Sequence, residues 1–208
     1  MAVIAVVGNK GGAGKTTLAV NLAAALAADA PTLLLDADPQ RSSLQWRTLS
    51  EREDAVEVRD AVDDPAAAID RARPEYIHLV VDCPPSVAAP QTLAALRHCS
   101  HALIPVQPSP LDLWATVHIE GAVELARETN PGLNAFIVIN QLEPRTRLSQ
   151  MVRQGLAELA LPAAGVAIRR RMAYRISILE GRTVHELGQR GREASEEIRQ
   201  LIEEVLFQ

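Results

Sequence analysis

Short apolar runs alternate with longer stretches of helical composition along nearly the whole chain. Ala2–Val7, Thr32–Leu35, Tyr76–Val81, Ala102–Val106 and Ala135–Ile139 are apolar at almost every position rather than at every second one. Unbroken apolarity over such short runs marks strands buried on both faces. Val56–Val58 is a weaker run, and Ala163–Ile168 reads as a final edge strand. Between the runs, Leu18–Ala28, Arg41–Arg52, Pro65–Arg73, Pro90–His98, Leu111–Glu128 and Leu148–Leu159 predict helices. Pro65 suits a helix start, and Asn130-Pro131-Gly132 ends the fifth helix. From Arg170 to Ile202 the pattern is mostly helical, with breaks near Gly181 and between Gly188 and Gly191. This alternation predicts an α/β fold, a doubly wound and mostly parallel sheet with helices on both faces. The chain has 208 residues, enough for one domain with a core of its own. Only 3% of residues are aromatic, so Ala, Leu, Val and Ile must fill that core.

The chemistry sits where apolar runs end. After the first run comes Gly8-Asn9-Lys10-Gly11-Gly12-Ala13-Gly14-Lys15-Thr16-Thr17, followed by a helix. Strand, glycine-rich loop and helix together make a phosphate cradle. The backbone N–H groups of Gly11, Gly12, Ala13, Gly14, Lys15, Thr16 and Thr17 can curl around phosphate oxygens, and the helix N-terminus adds its positive end. Lys15 would reach the β- and γ-phosphates, and the Thr16 hydroxyl would ligate Mg2+. The plain phosphate-loop pattern has glycine where this chain has Asn9, and this loop carries a second lysine, Lys10.

Two further apolar runs end in carboxylates. Leu33-Leu34-Leu35-Asp36-Ala37-Asp38-Pro39-Gln40 places two on a tight turn, at the sheet edge where open α/β folds bind ligands. Ile77 to Val81 leads into Asp82-Cys83-Pro84-Pro85, and Asp82 stands where a strand-end aspartate holds Mg2+, usually through water.

The sequence Lys10-Gly11-Gly12-Ala13-Gly14-Lys15-Thr16, with Asp36-x-Asp38-Pro39-Gln40 and Asp82-x-Pro84-Pro85, resembles the ParA/MinD family of deviant Walker A ATPases, a branch of the P-loop NTPases. The likeness extends over nearly the whole chain and is nearest to small partition or positioning ATPases. It implies ATP and Mg2+ as cofactors and a homodimer closed by ATP, with Lys10 reaching the nucleotide of the other subunit. It implies that Asp38 orients the attacking water and that Asp36 supports the Mg2+ shell. Phosphoryl transfer asks for alignment and charge neutralisation more than for a strong base, so an ordinary Asp suffices there. Pro105-x-x-Pro108-Ser109 resembles a family stretch near the base and the dimer face, which makes Pro108 a nucleotide-contact candidate. Asn140, at the end of a strand, is a candidate for base recognition and equally a plain turn former. The family also implies nonspecific DNA binding, nucleoid association in a bacterial cytoplasm, and a ParB-like or other adaptor protein that stimulates hydrolysis on a cargo. A metabolic ATP-dependent synthetase on the same fold is the alternative reading.

Charge sharpens the DNA expectation. The net charge is −5, unlike that of a general nucleic-acid binder, yet residues 169–192 hold seven Arg and two Glu. Arg169, Arg170, Arg171, Arg175 and Arg192 are the DNA-contact candidates; Arg182 and Arg190 complete the set. The tail, Glu196-Glu197 to Glu203-Glu204, is acidic, unlike a membrane-binding amphipathic helix, so no membrane partner is expected. Two cysteines without a C-x-x-C pair and no signal segment fit a cytoplasmic protein. With the first strand at its start, the chain is expected to lack an N-terminal helix-turn-helix extension. Residues 1–204 form the expected single domain, and 205–208 read as a tag-cleavage remnant.

Overall fold

The computed structural model describes residues 1–53, 55–143, 155–156 and 159–206, with the backbone only at 110–113. Six strands form one all-parallel sheet: β1 (Ala2–Val6), β2 (Thr32–Asp36), β3 (Glu57–Asp60), β4 (His78–Asp82), β5 (His101–Val106) and β6 (Asn134–Ile139). Their spatial order is β3-β2-β4-β1-β5-β6. Seven α-helices are described: α1 (Lys15–Ala27), α2 (Ser42–Leu49), α3 (Pro65–Ala72), α4 (Pro90–His98), α5 (Pro110–Arg127), α6 (Met172–Leu179) and α7 (Arg192–Leu206). None is long and apolar enough to cross a membrane.

The apolar strands sort their side chains by the pleat. Val3 and Ala5 of β1 face a core shared with α3, α4 and α5, whereas Ala2, Ile4 and Val6 face one shared with α1, α2, α6 and α7. Two cores on one sheet explain the unbroken apolar runs: both faces of each central strand leave water.

The chain winds one way from β1 to β2 and β3, and after β4 the other way to β5 and β6. Open sheets bind ligands outside the strand C-termini where the winding reverses. The parallel register fixes what gathers there. Asp36 is level with Asp82, Val6 is level with Asp82, and Val106 is level with Ile139. The phosphate loop, the carboxylates Asp36 and Asp82, Gln107 and Asn140 therefore share one edge.

Three expectations change. The stretch 163–168 is not a strand: it makes only isolated bridges, Ala163 to Ile137 and Arg169 to Leu142. The Ala164 and Ile168 N–H groups donate to the Ile137 and Ile139 carbonyls of β6, but between them the Gly165 and Val166 N–H groups donate instead to the Glu204 carboxylate of α7, at 2.6 and 3.0 Å. Second, α1 begins at Lys15, not Leu18. Third, Arg169–Arg171 precede α6 rather than lying in a helix; Arg171 has extended backbone at its N-cap. Most of the helix expected over 148–159 lies outside the described residues. Of the segment 205–208, Val205 and Leu206 continue α7, with Val205 buried, and Phe207 and Gln208 lie outside the described residues.

Candidate nucleotide site

The loop between β1 and α1 needs its glycines. Gly12 and Gly14 have φ of 79° and 87°, the left-handed region that costs an L side chain strain. A Cβ on Gly14 would also stand 2.4 Å from Asn140 Nδ2. Gly14 is the N-cap of α1 and offers no side-chain cap, so the first N–H groups of the helix stay available to an anion. Asn9, where the plain pattern has glycine, accepts a hydrogen bond from the Val87 N–H at 3.3 Å and ties the loop to the segment after Pro84-Pro85.

Lys15 is buried at the base of the loop and donates to the Lys10 carbonyl at 3.1 Å. Burial lowers its pKa, and Asp82 and Asp38 partly oppose that. Lys10 itself is half-buried. Gly11 and Gly12 are exposed, Ala13 is buried, and Thr16 and Thr17 are partly so.

The carboxylates divide the work. Asp36, fully buried, accepts from the Asp38 N–H at 3.1 Å and the Leu44 N–H at 2.9 Å. Leu44 is in the first turn of α2, so Asp36 caps that helix from the end of β2. Burial raises its pKa, while the Leu44 and Asp38 amides favour the ionised form. Asp38 accepts from the Gln40 N–H at 2.9 Å, which shapes its own turn. Asp82 is buried, and burial pushes its pKa up to about 7, against the pull of the Thr16 and Ser43 hydroxyls. Ser43 donates to its Oδ2 at 2.8 Å, while among the described residues Oδ1 has no hydrogen-bond partner. A buried carboxylate oxygen without a donor, close to a threonine hydroxyl at a helix N-terminus, fits a hydrated divalent cation. Thr16 and Asp82 thus suit Mg2+, whereas Asp36 spends both oxygens on backbone.

Asn140 directly follows β6, buried, with its Nδ2 donating to the Ala13 carbonyl at 2.6 Å and its Oδ1 accepting from the Gln141 N–H at 2.9 Å. Pro108 follows β5 in a tight turn in which the Ser109 N–H donates to the Gln107 carbonyl at 2.7 Å. Sequence reasoning passed over three polar partners at this edge: Ser43 on Asp82, and Gln107 and Gln141, which both donate to the Gly12 carbonyl, at 2.7 and 3.1 Å. Position alone could have flagged the two glutamines, since each follows the end of a strand on the β1 side of the switch point.

A cleft of about 560 Å3 opens beside the loop, lined by Gly12, Thr17, Asn140, Arg169, Arg170 and Arg175 among others. The arginine set is not uniform. Arg171 is held by Glu197 at 2.7 Å and also pairs with Glu193. Arg170 pairs with Glu143 at 2.6 Å, and Arg169 is 3.8 Å from Glu197. Among the described residues, Arg175, Arg190 and Arg192 are exposed and have no carboxylate within ion-pair distance. Cys83 and Cys99 are both buried in the core on the α3–α5 side.

Known proteins share this fold. Residues 4–184 match the CobQ/CobB/MinD/ParA nucleotide binding domain. The maintenance of carboxysome distribution protein A of Halothiobacillus neapolitanus is 39% identical over 206 residues, covering 98% of this chain and 95% of that protein. The chromosome-partitioning ATPase Soj of Thermus thermophilus is 31% identical, covering 74% of each. The structure of apo McdA from Cyanothece superposes with a TM-score of 0.77 at 17% identity, covering 97% of this chain and 99% of that one.

Proposed function

Because the chain belongs to the CobQ/CobB/MinD/ParA nucleotide-binding family, we propose that it is a Mg2+-dependent ATPase that places a cargo within the cell, and that the cargo is a carboxysome or a similar protein assembly. The end-to-end likeness to a carboxysome distribution protein carries this reading. The strand-edge cluster of Lys15, Thr16, Asp38 and Asp82 supports the chemistry.

In this reading the α1 N-terminus and the loop amides receive the phosphates, and Lys15 leaves the Lys10 carbonyl for them. Thr16 and Asp82 hold Mg2+, which neutralises phosphate charge when bound. Asp38, on the turn after β2, orients the water, with its backbone fixed by the Arg41 N–H at 2.8 Å. Asp36 keeps that turn and α2 in place rather than touching the metal. Lys10 reaches across a homodimer to the partner's nucleotide. Duplex DNA is held through exposed charge, with Arg175 and Arg192 the foremost contacts and Arg169 and Arg170 beside them; Arg171 anchors the segment through Glu197. An adaptor protein on the cargo stimulates hydrolysis, and release from DNA resets the protein's place on the nucleoid in the cytoplasm.

The test is duplex DNA retention with ATP, ADP or no nucleotide over a salt series, for wild type and Lys10→Ala. The expected result is salt-sensitive retention with ATP alone, lost in the variant. Nucleotide binding without DNA retention in any state overturns the DNA-matrix mechanism.

A further inference from the structure

The glycine-rich loop is gripped from outside by three neutral side-chain amides. Gln107 Nε2 and Gln141 Nε2 both donate to the Gly12 carbonyl, at 2.7 and 3.1 Å. Asn140 Nδ2 donates to the next carbonyl, Ala13, at 2.6 Å. These donors come from the ends of β5 and β6, which the register holds side by side. Gln141 adopts φ of 57°, and among the described residues only Arg41 is another non-glycine with positive φ. A non-glycine in that region is held there by its surroundings. Its backbone N–H is bound by Asn140 Oδ1, at 2.9 Å, so Asn140 helps aim Gln141 while bonding the loop itself.

Peptide planarity turns this grip into an orientation. In a trans peptide the carbonyl of one residue and the N–H of the next point in opposite directions. Among the described residues no peptide is cis. Fixing the Gly12 carbonyl therefore fixes the Ala13 N–H on the opposite side, and fixing the Ala13 carbonyl does the same for the Gly14 N–H. Glycines are free to rotate these peptide planes, and an unheld loop must be ordered each time a ligand arrives.

We propose that Gln107, Asn140 and Gln141 are positioning residues that hold the Ala13 and Gly14 N–H donors toward the phosphates, so that Asn140 serves phosphate binding and not base recognition. This rests on the nucleotide-binding reading of the site. A neutral amide suits this role, because it donates to a carbonyl without adding a charge that would compete with Lys15 for phosphate.

The test measures the affinity of the full chain for fluorescent ATP and GTP analogues, with Mg2+, in wild type, Gln107→Met/Gln141→Met and Asn140→Leu. Each lost amide bond has an effect of about 2- to 10-fold on the ordering of its peptide. Both variants are expected to weaken ATP and GTP by about tenfold each, with the ATP-to-GTP ratio unchanged. Amide hydrogen exchange at Ala13 and Gly14 in the nucleotide-free protein is expected to quicken, with the melting temperature of the double variant kept, since its two bonds lie at the surface. Wild-type affinity for both nucleotides in both variants overturns the proposal. A loss confined to ATP in Asn140→Leu also overturns it and returns Asn140 to the base. Failure of the wild type itself to bind any nucleotide removes the underlying reading along with the grip.

Discussion

The phosphate loop and the arginine-rich segment near the C-terminus are both basic features of the sequence, and they are built in opposite ways. The loop's Lys15 is buried, Gly12 and Gly14 are in conformations that glycine favours, and the loop is held by side chains that follow β5 and β6 and by the Val87 N–H after β4. The arginines are mostly exposed, and those that are paired meet carboxylates of α7, Glu143 or Glu180. In the first region each residue has one place it can act. In the second, the same residue type does two jobs: Arg171 is structural, while Arg175 and Arg192 present charge to solvent. A motif concentrates its meaning in spacing, whereas a charge cluster acquires meaning only from what the fold packs against it.

The comparison breaks most readily at Lys15. Lys15→Ala removes the buried cation from the loop and is expected to lower ATP turnover by about 100-fold or more, with little change in DNA affinity of any nucleotide-independent kind. A steady-state hydrolysis assay checks this.

Next in size is Asp82→Asn. The buried carboxyl titrates at about 7 in the folded chain against 3.8 in the unfolded one, so the unfolded state ionises first as pH rises. Wild type should lose stability from about pH 4 to pH 7 and no more above that. The Asn variant lacks this loss, so without metal it should be more stable by about 2–4 kcal/mol at pH 8 and nearly equal at pH 4. Denaturant melts at the two pH values read the difference, and an equal gap at both would contradict the burial argument.

Sharper still is the contrast inside the arginine set. Arg171→Ala leaves the buried Glu197 short of its cation and should cost about 1–3 kcal/mol of stability. Arg175→Ala should leave stability alone and lower the salt dependence of DNA binding by about one counterion. Melting curves and salt-titrated DNA binding on both variants separate the roles. If the two behave alike, the division between anchor and contact is wrong.

The smallest effect is expected outside both regions. Glu204→Ala removes the acceptor of the Gly165 and Val166 N–H groups and should cost about 1–2 kcal/mol, seen as a lower melting temperature with unchanged ATP turnover.

These contrasts also explain what the sequence could tell. The five strong strands were legible because burial on both faces leaves no polar position to confuse the pattern. The helix read from Leu18 begins three residues earlier, since Lys15, Thr16 and Thr17 are polar and so break the apolar signal of a helix. The stretch 163–168 reads as a strand because it is apolar, yet a glutamate from a distant helix takes two of its middle amides, those of Gly165 and Val166, and interrupts the pairing with β6. The loop and the strand-end aspartates could be named from spacing, but not their division of work: that Asp36 caps α2 follows only from where Leu44 lies. The glutamines carry no chemical signature of their own, and their meaning appears only when the register brings β5 and β6 beside the loop.

The most direct measurement of the central claim is calorimetric titration of ATP at pH 8, with and without Mg2+, into wild type and Asp82→Asn. The account predicts that Mg2+ tightens ATP binding to wild type and has little effect on the variant, because the proposed function assigns the cation to Asp82, whose Oδ1 has no hydrogen-bond partner among the described residues. Equal tightening by Mg2+ in both proteins, or none in wild type, would contradict the site as described.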